Sequence, residues 1–133
     1  MAKLGASAGW GDNYVETITA SQTLSYNDSG KVMLVGTDAL TITLPATKAG
    51  IRYTFVNSGA DANNIITISP NSSDGIWGTI TLAGSVVDLG GVDDKDLINT
   101  KSSSIKGDTV TIIGDGSVGW YVISSTGVWA AEA

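Results

Sequence analysis

Residues able to do chemistry fall in a few short stretches of this 133-residue chain. Gly114-x-Gly116-x-x-Gly119 has the spacing of a dinucleotide-binding loop, in which glycines let the backbone approach a pyrophosphate seated on the N-terminus of a helix. The next residues are Trp120-Tyr121-Val122-Ile123, a β-type run, so the glycines read as a hairpin turn. Asp93, Asp94 and Asp96 place three carboxylates close in sequence but lack the D-x-D-x-D-G spacing that wraps calcium. They read as a solvated loop whose charge Lys95 partly offsets, with a divalent cation or a basic partner surface as the alternative. The chain has no histidine and no cysteine. That removes serine and cysteine triads, imidazole proton shuttles and thiolate metal sites. Carboxylate pairs could still hydrolyse glycosides, yet the acids lie chiefly in turns rather than facing one another across a cleft. The expectation is a protein that is not an enzyme and has no resident cofactor or metal.

Aromatic side chains remain, and they suit binding rather than turnover. Trp120 and Tyr121 alternate within one strand, so one faces the core and the other faces out, with Trp120 the expected core residue. Trp10 lies in a Gly-rich stretch, Trp77 comes after Asp74-Gly75-Ile76 in a loop, and Trp129 ends the last β-type run. An indole that its own domain leaves bare marks an interface. Trp10, Tyr14, Trp77 and Trp129 are therefore the predicted protein-interface residues. For Trp10 the choices are docking against another subunit, folding back or staying mobile, and sugar stacking is a lesser use of Trp77 and Trp129.

The elements that would carry these residues are strands. Between Gly107 and Trp129, β-type runs at 109–113, 120–124 and 128–129 are separated by the turns 114–116 and 124–127, which reads as a three-stranded meander. Upstream, YVETIT, QTLSY, KVMLV, LTITL, IRYTFV and NIITIS succeed one another at intervals of roughly ten residues, the rhythm of a sandwich or barrel. Leu40, Ile42 and Leu44 share one face with Thr41 and Thr43 opposite, and Ile51, Tyr53 and Phe55 repeat the alternation. The short connection 45–50 predicts that these two runs are antiparallel neighbours. Residues 31–35 are apolar on both faces, which predicts a central strand covered on both sides. Between 76 and 104 the signal weakens: 79–82 and 85–89 are strand candidates, and 93–98 is a helical turn or a loop. The fold class read from this is all-β, an antiparallel β-sandwich or jelly-roll-like barrel. A single domain spans 14–133, and the Gly/Ala/Ser-rich residues 1–13 form a flexible N-terminal arm.

Composition bounds the partners. Hydrophobic residues make up 42% of the chain against 15% charged, which is incompatible with intrinsic disorder. A net charge of −6 without a basic cluster argues against nucleic acid. No apolar run reaches the length of a secretory leader or a membrane span, so the expectation is use without export through its own leader and without a membrane. The sequons at Asn27 and Asn71 then read as turn residues. Without cysteine, stability must come from packing or from assembly with other subunits.

Leu44-Pro45 with Gly50 shortly after, the 70–77 loop, Gly107-Asp108, Gly119-Trp120 and Gly127-Val128-Trp129 together resemble small β-structured virion proteins of tailed bacteriophages, especially head decoration or cement proteins. The likeness covers most of residues 14–129, and its cadence is shared with phage tail fibre and tail-tip modules. It implies a structural protein on the outer surface of the virion head, assembled in the host cytoplasm. Such a protein binds the major capsid protein as a homotrimer and clamps adjacent capsomers against the pressure of packaged DNA. It transfers no site residues. The alternative is a tail or fibre module that binds host-surface carbohydrate on a platform of Trp77, Trp129 and loop aspartates.

Overall fold

Apolar alternation puts one side of each longer strand inside. Leu40 and Ile42 are buried while Thr41 is exposed, and Tyr53, Phe55, Ile66, Ile68, Val110 and Ile112 are buried in the same manner. The computed structural model describes residues 14–82 and 84–133, so the arm expected over 1–13, with Trp10, lies outside the described residues. In chain order the strands are β1 (Val15–Ile18), β2 (Gln22–Thr23), β3 (Val32–Val35), β4 (Leu40–Thr43), β5 (Arg52–Asn57), β6 (Ile66–Ser69) and β7 (Gly75–Trp77). They continue with β8 (Thr79–Leu82), β9 (Ser85–Asp88), β10 (Leu97–Asn99), β11 (Thr109–Gly114), β12 (Gly119–Thr126) and β13 (Trp129–Ala131). Short 3-10 turns occupy Tyr26–Asp28 and Lys101–Ser103.

The architecture is an all-β sandwich. One sheet has the order β1-β3-β5-β11-β12-β7, the other β13-β10-β6-β4-β2, and β8 and β9 form a separate hairpin. From β1 to β7 the chain changes sheet after every strand. Because each return to a sheet comes from the other layer, β1, β3 and β5 run parallel, and so do β2, β4 and β6. This corrects the purely antiparallel expectation: the pairing is mixed, with antiparallel ladders at β5-β11-β12 and β6-β10-β13. It also corrects the pairing of the 40–44 and 51–56 runs, which lie in different sheets as β4 and β5. The connection between them crosses the sandwich instead of closing a hairpin. The meander is corrected too, since β11 and β12 form a hairpin but β13 leaves for the other sheet and pairs with β10.

The core between the sheets holds Ile18, Met33, Val35, Tyr53, Phe55, Ile112 and Trp120 from one layer and Leu40, Ile42, Ile66, Ile68, Leu97 and Trp129 from the other. Burial pushes the Tyr53 phenol up, and its hydroxyl donates to the Ser25 carbonyl at 2.7 Å. The expected strand candidates at 79–82 and 85–89 are β8 and β9, whose Ile80 is buried while the hairpin lies against β12 and β13. Leu97 and Ile98, read within the 93–98 helical turn or loop, belong with Asn99 to strand β10, because Leu97 and Asn99 both point into the core.

A polar cluster ties the layers together at one end. Asn57 of β5 donates to Asn99 Oδ1 of β10 at 2.7 Å, and Asn99 donates to Asp108 Oδ2 at 3.1 Å and to the Val128 carbonyl at 3.0 Å. Asn64 donates to Asn57 Oδ1 and to the Val35 carbonyl. All four side chains are buried, so each bond replaces one that water would otherwise supply.

Candidate interaction surface

The outer face of the six-stranded sheet, the sheet with the most strands, is the candidate surface. Strand register sets its side chains in rows: Val15, Val32, Thr54, Thr111 and Ser124 in one, and Thr17, Leu34, Val56, Thr109 and Thr126 in the next. A third row holds Arg52, Ile113, Tyr121 and Trp77. Arg52 is the one charged side chain in these rows. Thr54 and Thr111 share one hydrogen bond between their hydroxyls at 2.9 Å. A β-bulge between Thr111 and Ile112 leaves Ile123 unmatched in β12, and Ile123 and Tyr121 are both exposed. The 31–35 run is interior in its sheet, as β3 between β1 and β5. Its coverage on both sides is a corrected expectation: Met33 and Val35 are buried, whereas Val32 and Leu34 on the outer face are half-buried.

The predicted interface residues separate. Trp77 is half-buried in β7, its ring stacked on Tyr121 at 6.4 Å between centroids and 20° between planes. Gly91 presses on the other part of the indole, because a Cβ there would sit 2.0 Å from Trp77 Cε2, a contact glycine alone accommodates. Trp77 is thus a fixed part of the surface rather than a free loop residue. Tyr14, 42% exposed, stands one residue before β1, so Tyr14 and Trp77 border opposite edges of the same sheet. Trp129 is a correction. It is fully buried in β13 of the other sheet, where it pairs with the buried Asn99 of β10, and it donates from Nε1 to the Thr126 carbonyl at 3.0 Å. Trp120 is the buried core aromatic and Tyr121 the outward one, as alternation predicts.

The glycine loop 114–119 is the β11–β12 hairpin turn. Asp115 Oδ1 accepts from the amides of Ser117 at 2.7 Å, Val118 at 3.0 Å and Gly119 at 3.0 Å, so the chain's own carboxylate fills the amide nest. The Ser117 and Gly119 amides hold that carboxyl below the ordinary aspartate range. In the acidic loop Asp93 and Asp94 are exposed, and Lys95 reaches the Ala133 carbonyl at 3.0 Å instead of a neighbouring acid. Among the described residues no group of three acidic side chains is placed to hold a metal ion.

One ion-pair cluster lies at the β1 edge of this sheet. Lys31 pairs with Glu16 of β1 at 2.9 Å and with Asp28 at 3.0 Å. Burial opposes the Asp28 charge, but the Ser25 amide and the Lys31 ammonium outweigh it and leave the carboxyl below its usual range. Sequence reasoning missed the outer-face rows as a unit. Alternation shows that Leu34 and Val56 point away from Met33 and Phe55, but not that they become neighbours. Comparison of the chain with family models and with curated proteins yields no match.

Proposed function

We propose that this chain is a structural protein of a tailed-phage particle. In this reading it decorates the outer surface of the head, attaches as a homotrimer to the major capsid protein, and stabilises the shell by bridging adjacent capsomers. The observation that carries the proposal is the broad, nearly uncharged outer face of the six-stranded sheet, set on a stiff two-layer body. Such a surface suits contact with protein rather than conversion of a small molecule. The resemblance of residues 14–129 to phage head decoration proteins supplies the kind of particle.

Linked copies make the attachment durable. Once one subunit has docked, the others meet their sites at high effective concentration, so modest contacts add up to long residence on the shell. The carbohydrate alternative loses its platform, because Trp129 is buried in the opposite sheet from Trp77. Co-sedimentation of the purified chain with expanded heads of the phage that encodes it tests the proposal. Saturable uptake at a fixed ratio to the major capsid protein is expected, and no uptake, together with clear binding on a glycan array, would overturn it.

A further inference from the structure

We infer that β9 is an open docking edge, to which an extended basic segment of a partner protein adds as a further strand of the β8–β9 hairpin. The site lies apart from the outer sheet face and stands whether or not the chain decorates a head. β8 lies against β12 and β13, so β9 is the outer strand, and among the described residues no strand pairs with its far edge. The ladder decides which backbone groups are free. The Leu89 amide donates to the Gly78 carbonyl at 2.9 Å, and the register continues through Asp88–Thr79, Val87–Ile80 and Val86–Thr81. Bonded and non-bonded pairs alternate in an antiparallel ladder, so Val87 bonds to β8 while the N–H and C=O of Val86 and Asp88 point outward. Those are the groups an added strand takes up. Val86, 75% exposed, is the barest of the large hydrophobic side chains described.

The other edges are guarded or short. The β1 edge carries the Glu16–Lys31–Asp28 charges, and β2, β7 and β13 have two or three residues each. β9 carries neither the lysine nor the proline that commonly closes an edge, and its register with β8 has no bulge. Charge selects the occupant. Between Arg52 and Lys95 the chain has no basic residue, and Asp88, Asp93 and Asp94, all exposed, lie in β9 or in the loop that leaves it. Pairing β9 with β9 of a second copy would set these acids against their own kind. A segment with lysine or arginine between β-branched residues instead meets opposite charge and covers Val86.

The test titrates a peptide of about eight residues, alternating lysine and valine, into the isotope-labelled full chain and follows amide shifts by NMR. One control peptide has glutamate for lysine, and another has a central proline. The expected result is saturable binding of the lysine peptide with the largest shifts at Val86 and Asp88, and at least about tenfold weaker binding of both controls. Val86→Pro removes an outward N–H without touching the ladder to β8, and should weaken the lysine peptide at least about tenfold. Asp93→Asn with Asp94→Asn should weaken it about three- to tenfold; asparagine also tolerates the φ of +62° at residue 94. If Val86→Pro disturbs the hairpin, Val86→Lys, which keeps every backbone group and opposes a basic strand, decides the matter. No shift with the lysine peptide at about 1 mM, equal binding of either control, or shifts centred on the outer sheet face would overturn the inference.

Discussion

Replacing Asn99 with alanine removes the link through which β10 of one sheet holds β5 of the other. The wild-type side chain accepts from Asn57 Nδ2 at 2.7 Å and donates to Asp108 Oδ2 and the Val128 carbonyl. After truncation Asn57 Nδ2 keeps only a long 3.5 Å approach to the Asn64 carbonyl, and Asp108 Oδ2 keeps the Ile105 amide at 2.9 Å. The buried Asn57 amide and the half-buried Val128 carbonyl thus lose good partners, at about 1–3 kcal/mol for the first and less for the second. Adding a small cavity brings the total to about 3–5 kcal/mol, a large share of the ~5–15 kcal/mol by which a domain of this kind is stable. For a chain of this length that lowers Tm by roughly 10–20 °C. Urea unfolding monitored by tryptophan fluorescence, at one fixed protein concentration so that assembly does not shift the midpoint, reads the change. A loss under about 1 kcal/mol would show that the network is replaceable by water and that the two layers are joined by apolar packing alone.

Other named contacts carry their own expected outcomes. Gly119→Ala should destabilise by at least about 3 kcal/mol, because φ is +148° and a Cβ would lie 2.0 Å from the Gly75 carbonyl oxygen. Gly90→Ala, with φ +76° and open space, should cost only about 1–2 kcal/mol, and thermal melts of the two separate steric conflict from backbone strain. Asp115→Ala should cost about 1 kcal/mol near neutral pH through lost charge-assisted bonds to the turn amides. Because the folded Asp115 carboxyl lies below its ordinary value of 3.8, its contribution is present above that value and is lost as pH falls through the folded value; melts compared between pH 7 and pH 2 should show the gap from wild type closing on the acid side. Trp129→Ala should destabilise the fold by about 3–5 kcal/mol, as expected for a fully buried indole, and a melt within about 1 kcal/mol of wild type would contradict its place in the core.

Much of the strand content was legible because alternation is local. Leu40, Ile42, Tyr53 and Phe55 announce their buried face by a two-residue period, and Asp115 with its glycines announces a reversal that no other short element could make. Pairing was not legible, because alternation says which face is inside but not which strand lies alongside. The connection from β4 to β5 is long enough either to turn back in one sheet or to cross to the other, and only the whole set of partners selects the crossing. Trp129 was misplaced for a related reason: its inward direction depends on β10, whose three residues have too little pattern to be seen. Asn57 and Asn99 gave no signal of their own, since an isolated asparagine at a strand end reads as turn chemistry until its partner across the sandwich is known. Of the interface set, Tyr14 and Trp77 border the candidate face, while Tyr121 and Ile123 became visible as part of it only through the register and bulge of β12.

The claim at the centre of the account is that this sheet-built protein reinforces a capsid. Expanded heads prepared without the chain and then saturated with it should release their DNA at a higher temperature than untreated heads. Identical release temperatures with and without bound wild-type protein would contradict the claim.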